Sequence, residues 1–183
     1  MDLPALNLPE LNLPEFEFRI KQENDKNLIF DEIRKKYVRL TPEEWVRQNI
    51  IRYLVEYKHY PGQLMKIEAT IANHLIQFRG DVIVYNRQIT PVLIVECKAP
   101  EVSINEEVFN QVLRYNLKLH VKYLMVTNGL KHHCFQIDAV KNAYQFLSEI
   151  PDYRDMGWFY IYSHPVWCGE KLNLLVHSHI NNP

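Results

Sequence analysis

Two short apolar runs dominate the hydrophobic pattern: Asp81-Val82-Ile83-Val84-Tyr85 and Val92-Leu93-Ile94-Val95-Glu96-Cys97-Lys98, joined by polar residues 86–90. Both are rich in β-branched residues and too short for buried helices, so they predict two central strands paired as an antiparallel hairpin. Tyr123 to Thr127 is a third run of this kind, closed by Asn128-Gly129, and His132 to Ile137 is placed to pair beside it.

Helical spacing appears twice. Val46, Ile50, Ile51 and Leu54, with Trp45 near them, recur at the 3.6-residue period behind Thr41-Pro42-Glu43-Glu44. That quartet is a helix start: Thr at the N-cap, Pro at the first helical position, and Glu44 placed to complete a capping box. The predicted span is Pro42 to Lys58, since Tyr60-Pro61-Gly62 cannot continue a helix. Asn105 to Leu119 repeats the pattern with Val108, Val112, Leu113, Tyr115 and Leu119.

The rest is less regular. Residues 1–14 carry L-N-L-P-E repeats with Pro4, Pro9 and Pro14 evenly spaced, which excludes helix and predicts an extended arm, either a loose leader or a docking segment. Phe16, Phe18 and Ile20 alternate with charges, and with Leu28 to Phe30 they predict a short hairpin turning near Asn24-Asp25. Leu64 to Ile71 reads as a strand and Leu75 to Phe78 as another, ending before Arg79-Gly80. Tyr144, Phe146 and Leu147 form a weaker amphipathic segment. The expected organisation is an arm (1–14), one α/β domain (15–150) and an aromatic extension (151–183) whose Trp158, Phe159, Tyr160 and Trp167 would pack on the domain or a partner.

Composition narrows the function classes. The 183 residues are 47% hydrophobic and 23% charged, with a net charge of -1, which suits one folded domain and excludes a polyanion binder that works by overall charge. Cys97, Cys134 and Cys168 are odd in number and lack CxxC spacing, which speaks against a disulfide framework and fits a reducing cytoplasm. The sequence shows no apolar run of membrane-spanning length and no signal-peptide start, so a cytoplasmic protein without membrane attachment is expected.

The chemistry concentrates on the central hairpin. Strand alternation puts Glu96 and Lys98 on one face with Ile94, and Val95 and Cys97 on the other. Glu and Lys are depleted in strands and seldom buried unless paired or metal-bound, so both at the end of a Val-Leu-Ile-Val run is informative. Asp81 opens the preceding run after Gly80, within reach of Glu96. Alone, Asp81 reads as a strand cap and Glu96 with Lys98 as a structural ion pair; together they predict a hard-cation site. Magnesium takes oxygen donors and keeps waters, so Asp81, Glu96 and the Cys97 backbone carbonyl would suffice with a phosphate oxygen, and Mn²⁺ should substitute. The ion would activate a water and polarise a phosphoryl group while Lys98 positions the attacking water, giving hydrolysis without a covalent intermediate.

The flanks carry a resemblance. Residues 29–38 (IFDEIRKKYV), 41–48 (TPEEWVRQ), Asp81, 96–100 (ECKAP) and 111–116 (QVLRYN) resemble the type I restriction enzyme R-protein N-terminal family, over residues 15–148. That family belongs to the PD-(D/E)xK nucleases. The resemblance implies a restriction-endonuclease-like mixed central sheet flanked by helices, a divalent cation, and endonuclease activity on DNA, with Asp81, Glu96 and Lys98 matching the triad. It also implies a Glu from the first helix, Glu43 or Glu44. Glu43 shares a face with Arg47 at i,i+4, which favours it, while Glu44 has the capping role; a first-turn acid is equally explained by the helix dipole. Gln111 and Tyr115 match the Q-x-x-x-Y motif of RecB-like nucleases, which implies contact with substrate or site residues.

R subunits continue into a helicase motor, but no G-x-x-x-x-G-K-[ST] loop occurs here, so ATP use is not expected. The spacings of His132, His133, Cys134, His164, Cys168, His177 and His179 match no standard zinc site, and no G-x-S-x-G elbow points to a serine nucleophile. Two function classes remain: a magnesium-dependent DNA endonuclease, or a catalytically silent nuclease-like module that binds nucleic acid or a protein. Near-neutral charge and one site per chain make a homodimer or a partner subunit useful.

Overall fold

The computed structural model describes residues 8–73, 76–105, 121–138, 141 and 143–156. Strands β1 (Ile20–Glu23), β2 (Lys26–Asp31) and β3 (Lys36–Arg39) form an antiparallel three-stranded sheet in that order. Asn24 and Asp25 turn β1 into β2 with φ of 50° and 58°, the two positive values that Asn and Asp tolerate in a tight hairpin turn. The hairpin expected from sequence is present, and β3 adds a third strand the pattern had not shown.

Helix α1 (Pro42–Glu56) comes next, capped by Thr41, whose Oγ1 accepts the Glu44 N–H at 3.1 Å. It ends two residues before the expected Lys58. Then β4 (Met65–Asn73), β5 (Ile76–Tyr85), β6 (Pro91–Cys97), β7 (Tyr123–Thr127), β8 (His132–Asp138) and β9 (Ala143–Leu147) build a six-stranded sheet in chain order. Strands β6 and β7 pair in parallel and the other neighbours antiparallel, so the sheet is mixed and the fold is α/β. A parallel pair needs a crossover; the helix expected over 105–119 belongs to that connection and lies, beyond Asn105, outside the described residues.

One expectation is corrected: the strand expected over Leu75 to Phe78 does not end before Arg79-Gly80 and is not separate from the run that Asp81 opens. β5 runs through Arg79 and Gly80, which pair with Thr70 and Ala69. Gly80 is buried inside β5, so here glycine lies within a strand rather than at a break. The amphipathic segment around Tyr144 is the edge strand β9.

The central hairpin is held from both faces. Val82, Val84, Leu93, Val95 and Cys97 pack with Val46, Ile50, Ile51 and Leu54 of α1, while Ile83 and Ile94 pack with Leu124, Val126 and Phe135 on the other side. Each such aliphatic side chain contributes about 1.5–3 kcal/mol on burial. A one-residue slip would drive Glu96 into the α1 interface, so the register is strongly specified.

Both flanks of the domain lie against this body. Trp45 Nε1 donates to the Pro9 carbonyl at 3.1 Å, Asn12 N donates to Gly129 O at 2.8 Å, and His132 Nε2 lies 2.9 Å from Asn12 O. Leu11 and Leu13 join the α1-side core. At the other end Ile150 is buried and Tyr60 Oη donates to Pro151 O at 3.0 Å.

Candidate active site

Three adjacent strands each bring a carboxylate. Ile67 pairs with Val82 and Ala69 with Gly80, which leaves Glu68 and Asp81 facing each other outside the regular pairing; the β5–β6 pairing ends at Val82–Val95, and Asp81 and Glu96 are the next residues of the two strands. They lie close enough for the Cys97 N–H to reach the Asp81 carboxylate. Like charges side by side across strands repel, and each of these acids has its own cation. Glu68, with a backbone φ of 49°, directs its carboxylate to Arg34 Nη1 at 2.6 Å and Arg79 Nη2 at 3.1 Å. Asp81 Oδ1 accepts from Arg47 Nη2 at 2.9 Å. Glu96 Oε1 accepts from Lys98 Nζ at 2.7 Å.

The tip of β6 is fixed by its backbone. Cys97 N donates to Asp81 Oδ2 at 2.7 Å and Lys98 N donates to Thr127 O at 2.8 Å. Ile94 faces one core and Val95 and Cys97 the other, which gives Glu96 and Lys98 the common face that alternation predicts.

Glu43 and Glu44 have different surroundings. Glu44 is buried and its carboxylate accepts from Arg34 Nη2 at 2.5 Å, Gln48 Nε2 at 2.8 Å and Arg47 Nη1. The threonine half of the capping box forms, while the Glu44 carboxylate serves this ion network. Glu43 is half-exposed, accepts from Arg47 Nη2 at 2.7 Å, and so stands one guanidinium away from Asp81. Behind them Asp31, fully buried, accepts from Ile33 N and Arg34 N at 2.7 Å each, from Arg34 Nε at 2.5 Å and from Gln48 Nε2 at 2.9 Å.

Burial raises the Glu96 carboxyl above its ordinary value, the negative charges of Asp81 and Glu43 act in the same direction, and Lys98 offsets only part of the rise. For Lys98 burial acts downward, but the Glu96 hydrogen bond and the charges of Glu96, Asp81 and Glu43 prevail and hold the ammonium protonated. Arg47 is likewise kept charged, burial being outweighed by Asp81 and Glu44.

These observations test the donor set against a hard cation. The network holds Asp31, Glu43, Glu44, Glu68, Asp81 and Glu96 against Arg34, Arg47, Arg79 and Lys98, two more carboxylates than cations. That excess and the raised Glu96 carboxyl suit a divalent ion. Among the described residues no three His, Cys, Asp or Glu side chains form a ready ligand group, so an ion would rest on Asp81, Glu96, backbone oxygen and water, a set within magnesium's habits.

Asp81, Glu96 and Lys98 thus stand together, with the Cys97 N–H on the Asp81 carboxylate and Glu43 beside them through Arg47; Gln111 and Tyr115 lie outside the described residues. Sequence reasoning linked Arg47 to Glu43 by helical spacing but missed its bond to Asp81, and it gave no role to Asp31, Arg34 or Glu68. Burial sets Asp31 and Arg34 apart but is not visible in these polar stretches, and Glu68 is an exposed acid that no local pattern singles out.

The fold is an α/β domain that sets a carboxylate pair and a lysine together, Asp81 within β5 and Glu96 and Lys98 at the end of β6. The family model described as type I restriction enzyme R protein N terminus (HSDR_N) matches residues 42–151, from α1 past β9. The chain belongs to that family. Among solved structures, a fragment assigned to an HsdR subunit of a type I restriction enzyme from Vibrio vulnificus YJ016 aligns at 19% identity and a TM-score of 0.46. The alignment covers 64% of this chain and 24% of that one, so the chain spans about a quarter of that protein's length. No curated protein gives a significant match. Among the described residues no helix is long and apolar enough to cross a membrane.

Proposed function

We propose that this chain is a metal-dependent nuclease domain that hydrolyses phosphodiester bonds in DNA, in a restriction or defence role in the cytoplasm. The observation that carries the reading is the placement of Asp81 and Glu96 just beyond the end of the β5–β6 pairing with Lys98 Nζ 2.7 Å from Glu96 Oε1; membership of a restriction-enzyme family supports it. Asp81, Glu96 and the Cys97 carbonyl would hold Mg²⁺, or Mn²⁺ in its place. The ion supplies Lewis-acid polarisation and a water of lowered pKa. Lys98, held charged, positions the attacking water and offsets charge that builds on the phosphoryl oxygens. Glu43 completes the acidic side from α1, and Gln111 and Tyr115 contact substrate. A homodimer or a partner subunit would present a second site to the opposite strand of a duplex.

One contact favours a second reading. Both Asp81 oxygens already accept hydrogen bonds, one from Arg47 and one from Cys97 N, as they would in a catalytically silent module that only binds nucleic acid or a protein. Plasmid cleavage with Mg²⁺ or Mn²⁺ separates the two. The nuclease reading expects nicking or cutting by the wild type and loss of it in Asp81→Asn and Lys98→Ala with unchanged circular dichroism. Equal cleavage by wild type and Lys98→Ala would assign the activity to a contaminant and leave the silent module.

A further inference from the structure

The three-stranded sheet has two unlike faces. Ile29 and Asp31 are fully buried on the inner one. Across the outer face the register sets Lys21, Leu28 and Arg39 in one row and Phe30 and Tyr37 in the next. Phe30 N donates to Arg19 O at 2.9 Å, which brings Arg19 into the second row.

The outer face interleaves aromatic rings with cations. The Arg19 guanidinium carbon lies 3.7 Å from the centroid of the Phe30 ring, and Lys21 Nζ lies 4.5 Å from that of Tyr37. Phe30 and Tyr37 meet edge to face at 5.1 Å, and Tyr37 remains 38% exposed. Arg19 and Lys21 have acid partners in Glu32 and Glu23. Lys26 and Arg39 on this face, and Lys36 at its edge, make no ion pair among the described residues. On this face, cations without an ion pair among the described residues flank exposed aromatic surface.

The face is continuous with the candidate active site. A cleft of about 400 Å³ is lined by Tyr37 and Arg39 of the edge strand β3 on one side and by Arg47 with the acids Glu43, Glu44 and Glu68 on the other, and Arg47 bonds Asp81.

We propose that this face is a platform for an unpaired DNA strand, with bases stacked on Tyr37 and on the Arg19–Phe30 pair and phosphates held by Lys26 and Arg39. Rings flanked by cations suit exposed bases, whose faces are buried in a duplex. The net charge of -1 leaves little sequence-independent attraction for duplex phosphates, so affinity must come from local stacking with a few charges. The strand would run along the cleft towards Asp81 and Glu96; that direction rests on the nuclease reading, whereas binding itself does not.

The test is fluorescence anisotropy of the full chain in EDTA, so that nothing is cut, with labelled oligothymidylate and a duplex of the same length. The single strand should bind more tightly. Tyr37→Ala should weaken it by roughly tenfold, the scale of one lost stacking contact, and Tyr37→Phe should restore it. Lys26→Gln and Arg39→Gln should each lower the affinity and flatten its salt dependence. Unchanged binding in a folded Tyr37→Ala, or tighter binding of the duplex, overturns the proposal. Tyr37-dependent binding without cleavage by the wild type would overturn the nuclease reading alone, and cleavage with Tyr37-independent binding would overturn the platform alone.

Discussion

Arg47 Nη2 donates to Asp81 Oδ1 at 2.9 Å and thereby ties helix α1 to strand β5. The same guanidinium contacts Glu43 and Glu44 and is almost completely buried, so it is the counterion that lets acids from two elements stand close together.

Removing this cation should be costly. Arg47→Met leaves three carboxylates facing one another without it, and breaking a buried pair on one side typically costs about 3–5 kcal/mol. Because Glu43 is half-exposed, the lower end is expected. Urea denaturation of both proteins measures it; a loss below about 1 kcal/mol, the scale of a surface pair, would show that the network adds little.

The raised Glu96 carboxyl makes the stability of the fold depend on pH. Burial and the neighbouring Asp81 charge disfavour its ionised form in the folded protein, so its contribution to stability is full below the ordinary glutamate range and is lost as pH rises through its folded value. Glu96→Gln cannot ionise. Its melting temperature relative to wild type should therefore climb from acidic pH to above the ordinary glutamate range, and a flat difference would contradict the assigned burial.

Gly129 adopts φ of +83°, and a Cβ there would lie 2.7 Å from Leu11 Cδ2 and 3.1 Å from Val46 Cγ2. Gly129→Ala should destabilise by at least the ~1–2 kcal/mol of left-handed backbone strain, plus displacement of the arm. Leu11→Ala removes the nearest of these atoms and leaves Val46 Cγ2. In a double-mutant cycle by thermal melts the two changes should together cost less than their sum; strict additivity would mean that the arm does not press on this turn.

Cys97 and Cys134 are buried, and burial pushes the Cys97 thiol well up and the Cys134 thiol up to about 12. Thiolates are the reactive form. Mass spectrometry after treatment with a thiol reagent should find both unmodified in the native protein and modified in urea; fast native labelling of either would refute this packing.

A divalent cation that binds here should also stabilise the fold. At one hundred times its dissociation constant a ligand adds about 2.7 kcal/mol, so Mg²⁺ should raise the melting temperature of the wild type but not of Asp81→Asn. A shift of equal size in both would place the ion elsewhere.

The range of the forces involved decides how much of the molecule is legible in its sequence. Helix α1 could be read because its cap and apolar stripe are local signals, and the β5–β6 hairpin because its strands are buried on both faces. Strand β3, Lys36-Tyr37-Val38-Arg39, is a short polar edge strand with one inward aliphatic residue, and nothing distinguishes it from a loop. Gly80 looked like punctuation because glycine is common at turns, and the sequence does not show that this one is carried inside a paired strand. Asp81, Glu96 and Lys98 were legible because charges at the end of an apolar run violate local preference. The ties from Arg34 and Arg47 join residues 34 positions apart in sequence, and no local pattern encodes them.

The last amides of β6 are claimed from both sides, by the Asp81 carboxylate and by the Thr127 carbonyl. The chain end that bears Glu96 and Lys98 is thereby clamped between its two lateral neighbours and cannot fray as a free terminus would. Whatever molecule arrives must adapt to a rigid lip, and any accommodation has to come from the side chains around it.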